Sequence, residues 1–102
     1  MELIDAGMAR DIASGAVKIV AAGDKEIMVT NRSGKFYAIG NTCTHRGCRL
    51  SEGKVDGDQV KCRCHGSVFD LRTGKVIHGP AVRPEPAYGI NTRDEKLWIE
   101  VG

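Results

Sequence analysis

The chain predicts an all-β fold, built of short antiparallel strands that two Cys/His-bearing loops interrupt. Three observations predict it. Short runs rich in β-branched residues recur, bounded by Gly, Asn, Asp and Ser. Helical signal is confined to one turn. The segments that carry unusual chemistry fall between strands, as loops do. In chain order, Met8 to Ala13 can make a helical turn before Ser14-Gly15 stops it. Ala16 to Val20 (AVKIV) reads as a strand, Ala22-Gly23-Asp24-Lys25 as a turn, and Glu26 to Thr30 (EIMVT) as the returning strand. Asn31-Arg32-Ser33-Gly34 turns the chain again into Lys35 to Ile39 (KFYAI), which completes a meander. Val60-Lys61 leads into the second loop and Ser67 to Asp70 leaves it. Tyr88 to Thr92 and Leu97 to Val101 form a closing hairpin around Arg93-Asp94-Glu95-Lys96. Trp98, in the last strand, is expected in the core. The whole is read as one domain, 1–102.

Two segments hold the chemistry: Cys43-Thr44-His45-Arg46-Gly47-Cys48 and Cys62-Arg63-Cys64-His65-Gly66-Ser67. The first contains C-x-H and the second C-x-x-H, with 16 residues between His45 and Cys62. Two thiolates and two imidazoles suit one [2Fe–2S] cluster per chain, with Cys43 and Cys62 on one iron and His45 and His65 on the other. Neutral imidazoles in place of two thiolates remove negative charge from the centre and raise its reduction potential. Each ligating imidazole keeps one N–H whose pKa the iron lowers, so the potential is expected to fall as pH rises past that pKa. Other readings of these residues stay open. A Cys₂His₂ zinc site usually spaces its ligands as C-x₂₋₄-C and H-x₃₋₅-H, whereas here each segment pairs one Cys with one His. A plant-type all-cysteine cluster needs C-x₄-C-x₂-C, which Cys43 and Cys48 begin and Cys62-x-Cys64 does not continue. A plain disulfide framework of four cysteines leaves the two histidines unexplained.

The longer pattern, C-T-H-x-G-C…C-x-C-H-G-S, resembles the Rieske family. The likeness is strong over residues 43–80, including Phe69-Asp70, Thr73-Gly74-Lys75 and Gly79-Pro80-Ala81, and weak in the flanks. The short stretch between the two segments resembles compact Rieske ferredoxins. The resemblance implies an antiparallel β-sandwich or barrel with an inserted cluster-binding subdomain of two loops at about 41–81, a disulfide between Cys48 and Cys64, and ligand histidines at an exposed tip. It also implies that Ser67 donates a hydrogen bond to a bridging sulfide, and that Gly79-Pro80 begins a loop covering the cluster. Two positions depart from the high-potential, quinol-oxidising branch. Phe69 stands where that branch has a tyrosine bonded to a ligand cysteine, so an intermediate potential is expected within the roughly −150 to +300 mV Rieske span. Arg46 replaces an apolar residue that helps form the quinone-docking surface. Gly47, Gly66 and Gly74 are expected to take positive φ, which lets backbone N–H groups of the loops approach the sulfides. His78, beside the covering loop, reads as a polar loop residue.

Composition excludes several classes. Net charge is +2 and 41% of residues are apolar, enough for one small core. There is no nucleic-acid motif, no membrane segment of the roughly 20 apolar residues a span needs, and no basic-plus-apolar start of a signal peptide. Between Thr44 and Lys75 seven basic residues face four acidic ones. Solvated loops explain that excess more simply than a patch that steers an acidic partner. Taken as complete, the chain has no room for a catalytic domain. It is expected to be a cytoplasmic, monomeric, non-enzymatic electron carrier between a reductase and an oxygenase or other redox enzyme. A respiratory-type Rieske relay and a thiol/disulfide redox sensor are the alternatives. A disulfide fits poorly with a reducing cytosol; a thermophilic host, or shielding beside the cluster, would reconcile them.

Overall fold

The structure, a computed structural model, describes residues 2–44, 47–64 and 66–101. Its strands are β1 (Glu2–Met8), β2 (Val17–Ala22), β3 (Lys25–Arg32), β4 (Lys35–Gly40), β5 (Lys54–Asp56), β6 (Gln59–Lys61), β7 (Val68–Asp70), β8 (Val76–His78), β9 (Ala87–Arg93) and β10 (Lys96–Val101). Short 3-10 turns occupy Ala9–Asp11 and Leu50–Glu52. The first is the helical turn expected after Met8. The second, and the strands β1, β5 and β8, were not anticipated.

Six strands form one antiparallel sheet in the order β1-β10-β9-β4-β3-β2, and β5-β6-β7-β8 form a second. The expected meander is β2-β3-β4, paired from Val17↔Thr30 to Arg32↔Lys35. The closing hairpin is β9-β10, in which Asp94 and Glu95 turn with φ of 51° and 66°. The larger sheet curls until its edge strands meet: Lys18 Nζ on β2 donates to the Ala6 carbonyl on β1 at 2.9 Å. β1 bulges between Asp5 and Met8, where Gly7 has φ +88°.

Alternation along β3 and β4 sets where the second sheet sits. Side chains of a strand point to opposite faces in turn. Ile27, Val29 and Ala38 therefore enter a core with Ala6, Ile12, Val20, Leu97 and Ile99. Met28 and Ile39 face the other way, into a core with Leu50, Val60, Phe69, Leu71, Ala81, Cys43 and Cys62. The smaller sheet, carried by the segment between β4 and β9, packs on that second face. Trp98 is not a core residue. Leu97 and Ile99 point inward, so the residue between them faces out, half-exposed, with Lys96 Nζ 5.2 Å from its ring centroid. His78 is exposed at the end of β8 rather than in a loop. No helix among the described residues is long and apolar enough to cross a membrane.

Candidate metal centre

Cys43 lies shortly after β4 and Cys62 directly after β6, and the two loops close in the same way. The Cys43 N–H donates to the Cys48 carbonyl at 2.7 Å, and the Gly47 N–H donates back to the Cys43 carbonyl at 2.9 Å. In the second loop the Cys62 N–H donates to the Ser67 carbonyl at 2.8 Å and the Gly66 N–H to the Cys62 carbonyl at 3.1 Å. The offsets, five residues and four, are identical. Gly47 and Gly66 turn each loop with φ of 77° and 80°, a region that strains any residue with a Cβ. Cys43 and Cys62 thus hold equivalent stations, 3% and 2% exposed, at the floor of their loops.

A disulfide joins Cys48 to Cys64 and ties the loops together, with Cα atoms 6.5 Å apart. The sulfurs of Cys48, Cys62 and Cys64 lie within 4.8 Å of one another. Two of these are oxidised together, so Cys62 is the member of that group able to ligate as a thiolate. Cys64 is exposed and Cys48 half-buried. His45, Arg46 and His65 lie outside the described residues. What is described fits a two-iron, two-sulfide group: two cysteine positions withdrawn from water, on matched loops, each followed two or three residues later by a histidine.

Ser67 is fully buried, and its Oγ accepts from the Ala81 N–H at 3.0 Å. A hydroxyl that accepts there still has its own hydrogen to donate. Phe69 is fully buried in the core that also contains Cys43 and Cys62. After the cis Gly79-Pro80 bond, the chain from Ala81 to Pro86 forms a strap across both loops. Pro80 is exposed and Ala81 buried. Thr44 Oγ1 donates to the Arg83 carbonyl at 2.6 Å, and the Gly40 N–H donates to the Pro86 carbonyl at 2.9 Å.

Glu85 is the site residue that sequence reasoning missed. It is 3% exposed, and its Oε2 accepts from the Thr44 N–H at 2.9 Å. Burial pushes its carboxyl up to about 7, against the lowering effect of the Thr44 hydrogen bond. Two glycines make the space. A Cβ on Gly40 would lie 2.7 Å from Glu85 Oε1, and one on Gly74 (φ +80°) would collide with the Glu85 carbonyl. Around the loops, Arg49 pairs with Glu26 at 3.5 Å, Arg63 with Glu52 at 3.3 Å and Arg72 with Asp70 at 3.2 Å. Those pairs are the signature of solvated loops, and exposed pairs of this kind contribute little.

Comparison with known proteins agrees with this geometry. The profile of the Rieske [2Fe-2S] domain matches residues 2–92. Sulredoxin of Sulfurisphaera tokodaii is 41% identical, over 86% of this chain and 84% of its own. The ferredoxin component of the naphthalene 1,2-dioxygenase/salicylate 5-hydroxylase systems of Ralstonia sp is 32% identical, over 96% and 94%. A solved chain from the complex of reduced oxygenase and oxidized ferredoxin in carbazole 1,9a-dioxygenase superposes with a TM-score of 0.91 at 28% identity, covering 95% of this chain and 91% of that one.

Proposed function

This chain belongs to the Rieske [2Fe-2S] domain family, and from that premise we propose that it is a ferredoxin, passing single electrons from a reductase to an oxygenase or other redox enzyme. The matched closure of the two loops carries the reading, because it presents Cys43 and Cys62 as equivalent buried ligands. In this account Cys43 and Cys62 hold one iron, and His45 and His65 hold the other. The cluster supplies a one-electron couple. The chain's own residues do the remaining work. The disulfide and the strap from Ala81 to Pro86 hold the loops in register, Ser67 offers a hydroxyl to a sulfide, and Phe69, Leu50 and Leu71 keep water from the cysteines. The likeness to ferredoxin components of dioxygenase systems supports an oxygenase as acceptor, and the compartment that goes with this reading is the cytoplasm.

The test is an anaerobic redox titration followed by EPR at neutral pH, with His65→Ala alongside. A Rieske-type signal with a midpoint near or below zero, abolished in the variant, is the expected result. A midpoint near the top of the roughly −150 to +300 mV span would point to a respiratory relay instead. A metal-replete protein without the signal would reopen the zinc reading, and a normal spectrum in the variant would refute the ligand assignment.

A further inference from the structure

The peptide unit between Cys43 and Thr44 is gripped at both ends. Its carbonyl accepts from the Gly47 N–H at 2.9 Å, and its N–H donates to Glu85 Oε2 at 2.9 Å. The first grip is local and has a counterpart in the second loop. The second comes from residue 85, 41 positions away, across the strap. Glu85 is itself anchored by its N–H, which donates to the Gly74 carbonyl at 2.8 Å, and is enclosed by the backbones of Gly40 and Gly74. A carboxyl embedded this deeply is expensive to keep unless its hydrogen bond matters. Thr44 is doubly held, since its hydroxyl donates to the Arg83 carbonyl in the same strap.

We propose that Glu85 is a positioning residue for the metal centre: by accepting the Thr44 N–H it fixes the orientation of the peptide that follows Cys43. The inference rests on the ligand assignment proposed above. It does not depend on the protonation state of Glu85, because the carboxyl oxygen accepts in either state. What matters is an acceptor at the right reach.

Three variants separate reach from charge and from volume. Glu85→Gln keeps reach and removes charge. Glu85→Asp keeps the charge and withdraws the acceptor by about 1.5 Å, one C–C bond. Glu85→Met fills the space without an acceptor. The reconstituted proteins are compared by EPR line shape, by the rate at which the cluster's visible absorption is lost to a chelator, and by hydrogen exchange of the peptide containing Thr44. The Gln variant is expected to match wild type in all three. The Asp and Met variants are expected to lose the cluster about tenfold faster, as a broken buried hydrogen bond implies, with shifted g values and faster exchange around Thr44. A Gln variant that behaves like Met would overturn the proposal, as would a Met or an Asp variant indistinguishable from wild type. Should the Met variant fail to fold, the Gln and Asp variants decide the matter alone. A wild-type protein without a Rieske signal would instead count against the ligand assignment.

Discussion

Replacing Cys48 and Cys64 together by serine removes the covalent link between the two loops while leaving Cys43 and Cys62 in place. The two cysteines are 16 residues apart in sequence, so the bond closes a loop of modest size in the unfolded chain. Loop-closure entropy for that span makes the link worth about 3 kcal/mol. For a domain of this length each kcal/mol lost lowers Tm by roughly 4–8 °C, so the double variant should melt at least about 10 °C below wild type. Urea unfolding followed by far-UV circular dichroism measures the free energy directly. The single tryptophan, Trp98, on β10 of the larger sheet, gives a second probe of the same transition. Agreement of the two probes shows that the whole fold feels the bond. A loss below about 1 kcal/mol would refute the reasoning, because the unfolded chain would then gain little freedom from the cut. Because Cys64 is exposed, mild thiol reductant should reach the bond and reproduce the double variant's melting point.

Two further outcomes follow from single side chains. Phe69→Tyr places a hydroxyl in a fully buried position beside Cys43 and Cys62. The midpoint potential should rise if that hydroxyl bonds a ligand sulfur, and an unchanged potential in a redox titration would sink the explanation of the intermediate value. Glu85 gives the protein a pH dependence with a definite sign. Its carboxyl titrates near 7 when folded against 4.5 for an unburied one, so the folded state binds the extra proton between those values. Glu85's contribution to stability is therefore greatest below about 4.5 and is lost as pH rises through about 7, by up to about 3 kcal/mol. Glu85→Gln should remove this slope in urea melts taken from pH 5 to 8, and a slope that survives the substitution would assign it to other groups.

The parts of the fold legible in the sequence were those whose signal is local. β2, β3 and β4 announce themselves through β-branched runs and turns at Gly23 and Gly34, both at positive φ. The cluster loops announce themselves through residue type and spacing. β5 was missed although its signal is present: Asp56-Gly57-Asp58 lies between Val55 and Val60, which pair directly, and Gly57 turns with φ +59°. Strands of three residues with at most one buried side chain each give alternation too little length to register. Trp98 lies outside the core because strand alternation puts it on the face opposite to Leu97 and Ile99. Glu85 was invisible for a different reason. In Arg83-Pro84-Glu85-Pro86 a charged residue between prolines reads as solvated loop. Its burial is made by Gly40, Thr44 and Gly74, which only the folded chain brings together.

The division of β3 between two cores has a mechanical consequence. Met28 supports the cysteines while Ile27 and Val29 support the curled sheet, so one backbone serves as a keel for both. The metal-bearing half cannot tilt against the rest without pulling Leu50, Val60 and Phe69 away from Met28 and Ile39, whose backbone the ladders of the larger sheet hold in place. A charge that arrives and departs therefore meets a fixed set of dipoles, and surroundings already in place exact little reorganisation when the charge changes. Stiffness between the halves is, on this view, what a shuttle with no substrate of its own most needs from its scaffold.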